Sequence, residues 1–123
     1  MRATRDARRD KSVAFLEETS KQINDVLTDI FRYTKASQKP PDDSLRKTSS
    51  ALFKQRLDVA IRSEAYLQSS TFPKQYDELT GKIDFIVQRL YGPDQQYKEL
   101  KRDADVVWDQ AKDVLSKALS DAL

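Results

Sequence analysis

The chain has 123 residues, with 22 Lys and Arg against 20 Asp and Glu, two glycines, no histidine and no cysteine. Without His or Cys it cannot form a Ser-His triad, a thiol nucleophile or an ordinary zinc site. Two separated glycines cannot form a Gly-rich phosphate-binding loop. The length predicts one domain. The composition favours a protein that is not an enzyme and that binds no cofactor or small-molecule substrate.

Basic residues are concentrated at the N-terminus. Residues 1–11 contain five basic and two acidic residues, a net charge of +3, so the other 112 residues sum to −1. We therefore expect a flexible basic arm over residues 1–11 and a single folded domain over residues 12–123. The arm is a candidate tether to an acidic surface, through Arg2, Arg5, Arg8 and Arg9. The alternative is a solvated terminus without a partner.

The hydropathy and charge patterns also disfavour two classes of protein. The sequence has no run of about 18 apolar residues, the length that spans a bilayer. No apolar segment of a secretory signal follows Met1. We therefore expect a protein that does not span a membrane. Nucleic-acid binding is disfavoured because the positive charge lies in a short arm and not on the folded part.

The first predicted helix runs from about Ser12 to Ala36, before the Pro40-Pro41 pair that prevents its continuation. Its apolar residues recur at spacings of three, four and seven, which is typical of one buried helix face. They are Val13, Leu16, Ile23, Val26, Leu27, Ile30 and Phe31.

The second predicted helix runs from about Ser44 to Ser69 and is capped by Asp42, Asp43 or Ser44. Two adjacent rows of apolar residues repeat every seven positions, and we expect Leu57 and Ile61 to widen the buried stripe. Such a stripe suits a helix that contacts two neighbours in a bundle. The rows are Leu45, Leu52, Val59 and Tyr66, and Phe53, Ala60 and Leu67.

The third predicted helix has the most regular pattern and is capped by Ser70 or Thr71, with Pro73 in its first turn. We expect Gly81 to allow close approach of a neighbouring helix, and Gly92 to end this helix in a left-handed conformation. The apolar residues step by four and three: Phe72, Tyr76, Leu79, Ile83, Ile86 and Leu90.

The fourth predicted helix runs from about Asp94 to Leu119 or beyond. The regular spacing of alanines on its apolar face favours close packing, and we expect Trp108 to pack in the core. The face consists of Tyr97, Leu100, Ala104, Val107, Trp108, Ala111, Val114, Leu115, Ala118 and Leu119.

Four amphipathic helices with short connections predict an all-α fold, an antiparallel up-down-up-down four-helix bundle. No alternating β-type run competes with this reading. The alternative architecture is a long helical hairpin that dimerises through its apolar stripes.

Charged residues of the fourth helix are candidate partner-binding residues. Asp105, Asp109 and Asp113 share one stripe of the helix, where a basic partner could dock. Lys98, Lys101 and Arg102 form a basic cluster near its start and, with the arm, a possible second docking surface. The alternative for both sets is an ordinary solvated helix face. Tyr91, just before the Gly92-Pro93 turn, is a candidate exposed aromatic at an interface.

Two segments and the four-helix layout resemble the small extrinsic subunits on the lumenal side of photosystem II, of the PsbQ type and its algal and diatom relatives. The segments are residues 43–53, DSLRKTSSALF, and residues 107–119, VWDQAKDVLSKAL. The resemblance covers nearly the whole chain by layout and implies a four-helix bundle that docks on photosystem II by charged surfaces. It also implies a thylakoid-lumen location and a role in shielding the oxygen-evolving centre, whose metals belong to the partner.

The sequence thus predicts a non-catalytic accessory subunit that docks electrostatically on a large membrane-protein complex, with the photosystem II core and its other extrinsic subunits as the partners. One alternative is a soluble helical adaptor or coiled-coil interaction protein of another complex, with a cytoplasmic location. A third possibility is binding of the basic arm to nucleic acid or anionic lipid.

Overall fold

The computed structural model describes residues 2–36, 42–67, 70–92 and 97–123, with the backbone alone for residues 2–6, 8, 35 and 36. These residues are almost entirely helical, and no strand occurs among them. The helices are α1 (Arg2–Ala36), α2 (Asp43–Lys54), α3 (Arg56–Arg62), α4 (Thr71–Tyr91) and α5 (Tyr97–Ala122), and a π-helical segment, Ser63–Leu67, directly follows α3. We call α2, α3 and the π-helical segment together the second helix of the bundle.

The helices form a ring in which each one packs on the next. The second helix packs on α1 and α4, and α5 packs on α4 and, most extensively, on α1. The second helix and α5 therefore lie diagonally opposite each other. This arrangement confirms the predicted all-α four-helix bundle. A single chain closes the ring, whereas the helical hairpin considered as an alternative needs a second chain to cover its apolar stripes.

Contacts between helix ends show that successive helices are antiparallel. Near the start of α1, the Ser12 hydroxyl donates a hydrogen bond to the carbonyl oxygen of Tyr66, near the end of the second helix, at 2.6 Å. Near the end of α4, the Arg89 guanidinium pairs with Glu99, near the start of α5, at 3.5 Å. Near the end of α4, the Tyr91 hydroxyl accepts from the Arg46 N–H, near the start of the second helix, at 3.1 Å. The up-down-up-down order follows from these three pairings.

The core is built from the rows that the sequence predicts. In α4, all six residues of the predicted row are buried, together with Val87. The predicted row of α1 omits Phe15, which is buried and meets the rings of Tyr66 and Phe72 edge-on, with centroid distances of 6.2 and 6.1 Å. Trp108 is half-buried and packs edge-on against Phe31 at 5.8 Å. These aromatic contacts join α1 to each of the other three helices.

The prediction that Leu57 and Ile61 widen the buried stripe of the second helix is wrong. Their side chains are 73% and 60% exposed. Each lies two positions from the buried Val59, and at about 100° per residue two positions rotate a side chain by about 200°. Both residues therefore point away from the core.

The start of α1 also differs from its predicted position. The helix begins at Arg2 and not at Ser12, so the backbone of the predicted flexible arm continues α1. Residues 2–11 contain no Gly or Pro, and Ala and Arg are strong helix formers. Leu16 lines a surface hollow with Leu119, near the end of α5. Because α1 and α5 are antiparallel, these first ten residues extend about 15 Å beyond the end of α5.

Neither glycine behaves as predicted. A Cβ atom built on Gly81 meets nothing within 4 Å, so no neighbouring helix approaches there. Gly92 is extended, with φ −82° and ψ 170°, and its N–H donates to the Arg89 carbonyl oxygen at 3.2 Å. The residue before a proline is sterically pushed towards extended backbone, and Pro93 follows Gly92.

We expect Gly81→Ala to stabilise the protein by about 0.5–1 kcal/mol, because alanine restricts the unfolded chain and fits the open helix surface. Urea unfolding followed by circular dichroism checks this. Gly92→Ala, outside the helix, is the control and should change stability less. A loss of stability in Gly81→Ala would mean that a neighbour does pack at this position.

Tyr76 supports the second helix where α2 ends. Its hydroxyl donates a hydrogen bond to the Leu52 carbonyl oxygen at 2.9 Å, and this carbonyl is among the last four of α2, which lack partners within that helix. Burial, aided by the nearby negative charges of Asp77 and Asp58, raises the pKa of Tyr76 to about 12. The hydroxyl therefore stays neutral and remains a donor across the ordinary pH range.

We expect Tyr76→Phe to reduce the free energy of unfolding by about 1 kcal/mol at neutral pH, because it leaves the Leu52 carbonyl without this donor. In the unfolded chain Tyr76 ionises near pH 10, whereas in the folded protein its hydroxyl stays neutral to a higher pH. The difference in the free energy of unfolding between the wild type and the variant should therefore shrink as the pH rises from about 10 towards 12. Denaturant unfolding over this range measures both effects. Tyr66→Phe is the control, because the Tyr66 hydroxyl has no hydrogen-bond partner among the described residues. Equal losses in the two variants would contradict the assignment.

Candidate functional site

The charged residues predicted on the fourth helix lie on the outer side of α5. All six are exposed. The helix turns its small and aliphatic residues inward, and Asp109 lies two positions from both Val107 and Ala111, which are buried. It therefore points away from the core. We define the α5 charge face as Lys98, Lys101, Arg102, Asp105, Asp109 and Asp113.

Most charges on the α5 charge face have no ion-pair partner among the residues that the structure describes. Among the described residues, the only ion pair of this face joins Asp109 to Lys112, at 3.4 Å between exposed side chains. Asp109 lies one turn from both Asp105 and Asp113. Each of these two like-charged pairs destabilises the helix by about a few tenths of a kcal/mol. The face is thus poorly compensated internally and is accessible to a charged partner.

Contacts between α4 and α5 hold this face in place. The Arg89 guanidinium lies 3.5 Å from Glu99 and 3.6 Å from Asp103, and the Lys82 ammonium donates to the Gln110 side-chain oxygen at 2.9 Å. Exposed ion pairs contribute little individually. Together with the buried stripe of α5, however, they fix the rotation of the helix and therefore the direction of its charges.

The basic arm and the basic cluster of α5 are not brought together. Residues 98–102 are at the start of α5, which lies near the end of α1, whereas the arm is at the start of α1. The predicted combined docking surface is therefore wrong. Arg9 is exposed; the side chains of Arg2, Arg5 and Arg8 lie outside those that the structure describes, as do the predicted helix start at Asp94 and the proline pair at 40–41.

Tyr91 is half-buried and engaged within the fold. Its hydroxyl donates to the Asp42 carbonyl oxygen and accepts from the Arg46 N–H at 3.1 Å. The Arg46 guanidinium lies 4.1 Å from the ring centroid. Burial raises the pKa of Tyr91, against the opposing effect of Arg46. These contacts tie the end of α4 to the start of α2, and a role for Tyr91 in binding a partner stays a prediction.

Asp42 caps α2 beside this junction. Its carboxylate accepts hydrogen bonds from the Ser44 hydroxyl and from the Ser44 backbone N–H, the latter at 3.0 Å. Both bonds lower the pKa of Asp42 from its ordinary value of 3.8, and the bond from the hydroxyl has the larger effect. The charged form is therefore favoured in the folded protein.

We expect the stability conferred by the Asp42 charge to be present above about pH 3.8 and to be lost as the pH falls through the lower native pKa. Asp42→Asn keeps a capping oxygen without the charge. The melting temperature of the wild type should exceed that of Asp42→Asn at pH 6, and the difference should shrink below pH 4. A difference that grows on acidification would contradict the assigned direction of the pKa shift.

The described residues offer no cluster of ligands for a metal ion. No group of three or more His, Cys, Asp or Glu residues among them is placed to hold a metal ion. Ser49 has a buried hydroxyl without a hydrogen-bond partner in the described part of the chain. It therefore lacks the adjacent base that activates a serine nucleophile. None of the described helices combines the length and apolar character needed to cross a bilayer.

Comparisons with known proteins do not assign the chain. No model of a known family matches it, and neither a curated protein nor a solved structure does so significantly. The resemblance to extrinsic photosystem II subunits therefore stays a prediction.

Sequence reasoning missed one exposed feature, the apolar pair Leu57 and Ile61. The signal was present in the sequence, since both residues lie two positions from Val59 and hence on the opposite side of an α-helix.

Proposed function

We propose that the protein is a non-catalytic docking subunit that binds a large protein assembly through the α5 charge face. The observation that carries this proposal is the pair of separated charge blocks on the outer side of α5, in which only Asp109 has an ion-pair partner among the described residues. A basic block occupies the first turns of the helix and an acidic block follows it. This pattern fits a partner that places an acidic patch against the basic block and a basic patch against the acidic block.

The bundle makes the charge face suitable for recognition. The centres of the two blocks are about nine residues apart, a distance of roughly 13 Å along a straight helix. Burial of Leu100, Val107 and Leu115 against the rest of the bundle keeps this spacing fixed. A preorganised face loses little conformational entropy on binding, and complementary charges speed association and set the orientation.

The partner that we propose is photosystem II, on its lumenal side. Support comes from the four-helix architecture together with the resemblance of residues 43–53 and 107–119 to its small extrinsic subunits. In this role the protein sits peripherally in the thylakoid lumen, contacts the core and other extrinsic subunits, and shields the oxygen-evolving centre. The metals of that centre belong to the partner, and this chain supplies docking charges.

The partner is tested by co-sedimentation with thylakoid membranes stripped of extrinsic subunits, across a salt series with oxygen evolution recorded. We expect saturable binding that restores activity and is released towards about 1 M salt, where charges are screened beyond a few ångströms. Absence of binding at low salt would refute photosystem II as the partner. A helical adaptor of another complex would then become the working hypothesis.

The docking face is tested by the triple variant Asp105→Asn, Asp109→Asn and Asp113→Asn. We expect about tenfold weaker binding to the stripped membranes, since each exposed charge contributes a fraction of a kcal/mol to 1 kcal/mol. The control replaces Glu17, Asp25 and Asp77 by their amides, which changes the net charge equally at exposed positions of other helices. Equal weakening in both variants would assign the effect to net charge and contradict the role of the α5 charge face.

A further inference from the structure

The second helix has an outward apolar pair that the docking proposal does not use. Leu57 and Ile61 are 73% and 60% exposed and lie one turn apart on the same side of α3. Covering exposed aliphatic side chains with a partner is favourable, because it removes apolar surface from water. The question is which surface fits this pair.

Positive charge predominates on the outer side of α2 and α3, on one side of the apolar pair, whereas the exposed Glu64 lies on its other side. Residues 43–62 contain five basic and two acidic residues, a net charge of +3. Arg46, Lys47 and Lys54 are exposed on α2. Lys47 and Lys54 form no ion pair among the described residues. An occupant of this face must therefore offer negative charge beside an apolar layer.

The two arginines of α3 are directed differently. The Arg56 guanidinium lies 3.6 Å from the centroid of the Phe53 ring, and its Nε donates to the Phe53 carbonyl oxygen at 3.0 Å. It stays exposed next to Leu57. Arg62 instead pairs with Asp58 at 3.2 Å and with Glu18 of α1 at 3.6 Å. The outward positive charge therefore lies on the α2 side of the apolar pair.

The shape of this face distinguishes a bilayer from a protein groove. A helix that binds in a groove usually presents apolar anchors over two or more turns. Here the apolar pair covers a single turn, and the polar Ser50 and Glu64 border it on either side. Short aliphatic insertions flanked by Lys and Arg are typical of helices that lie at the interface of an anionic membrane.

We propose that the outer side of α2 and α3 binds an anionic lipid bilayer. Leu57 and Ile61 enter the boundary between headgroups and acyl chains, and Lys47 and Lys54 contact lipid phosphates. Because α5 lies diagonally opposite the second helix, the α5 charge face then points away from the bilayer. This inference goes beyond the docking proposal, and its test requires no partner protein.

The test is co-sedimentation of the full chain with vesicles of phosphatidylcholine containing phosphatidylglycerol, and with vesicles of phosphatidylcholine alone. We expect salt-sensitive binding to the anionic vesicles and much weaker binding to the neutral ones. Lys47→Gln with Lys54→Gln should lower the partition coefficient about thirtyfold. Leu57→Ser with Ile61→Ser should lower it about tenfold, because fewer methylene groups are buried in the bilayer.

Two matched controls separate this face from general properties of the surface. Phe85→Ser with Val106→Ser removes apolar side chains that are 61% and 50% exposed on α4 and α5. Lys21→Gln with Lys117→Gln removes two exposed charges from α1 and α5. Both controls should bind anionic vesicles like the wild type, and circular dichroism should show all four variants folded.

Three results would overturn the proposal. One is equal binding to neutral and anionic vesicles, and another is an equal loss in the variants and their controls. The third is no binding to anionic vesicles at low salt, which would favour an acidic protein as the occupant of the face. A failure here leaves the stripped-membrane result for the α5 variants unaffected, so the two proposals are separable.

Discussion

The structure depends on the burial of one apolar stripe from each of four helices in a shared core. The chain is only 38% hydrophobic and 34% charged, so no helix can be apolar on all sides. Leu27, Leu45, Ile83 and Leu100, one from each bundle helix, are completely buried. With the core filled in this way, most charged residues remain outside. The function must therefore be sought on the surface of the bundle.

Much of the fold could be predicted because strong periodicity leaves few alternatives. The steps of three and four residues in α4 determine a single helix face, and all six residues of that row are buried. The same periodicity places Leu57 and Ile61, two positions from Val59, on the outer side of the second helix, and only their hydrophobicity suggested burial. The start of α1 was also missed, since charge composition suggested a flexible arm where the helix propensities of Ala and Arg allow helix.

The candidate site was predictable in its residues but not in its assembly. Exposure of the α5 charge face follows from helical geometry. The separation of the basic arm from Lys98 and its basic neighbours follows only from the antiparallel order of α1 and α5. Tyr91 shows the same limit, because its position before a turn suggested an exposed aromatic, whereas the fold brings Arg46 and Asp42 to its hydroxyl. Such contacts join distant parts of the chain, and local sequence patterns do not specify them.

The central claim is that two diagonally opposite faces of one bundle serve different surfaces. The most direct measurement uses the absence of cysteine, since Ile61→Cys and Asp109→Cys each introduce a unique site for a nitroxide spin label. Collision with oxygen and with a water-soluble nickel complex is then measured with and without anionic vesicles. The account predicts that the label at position 61 moves into lipid while the label at position 109 stays in water. Lipid contact at position 109, or none at position 61, would contradict it.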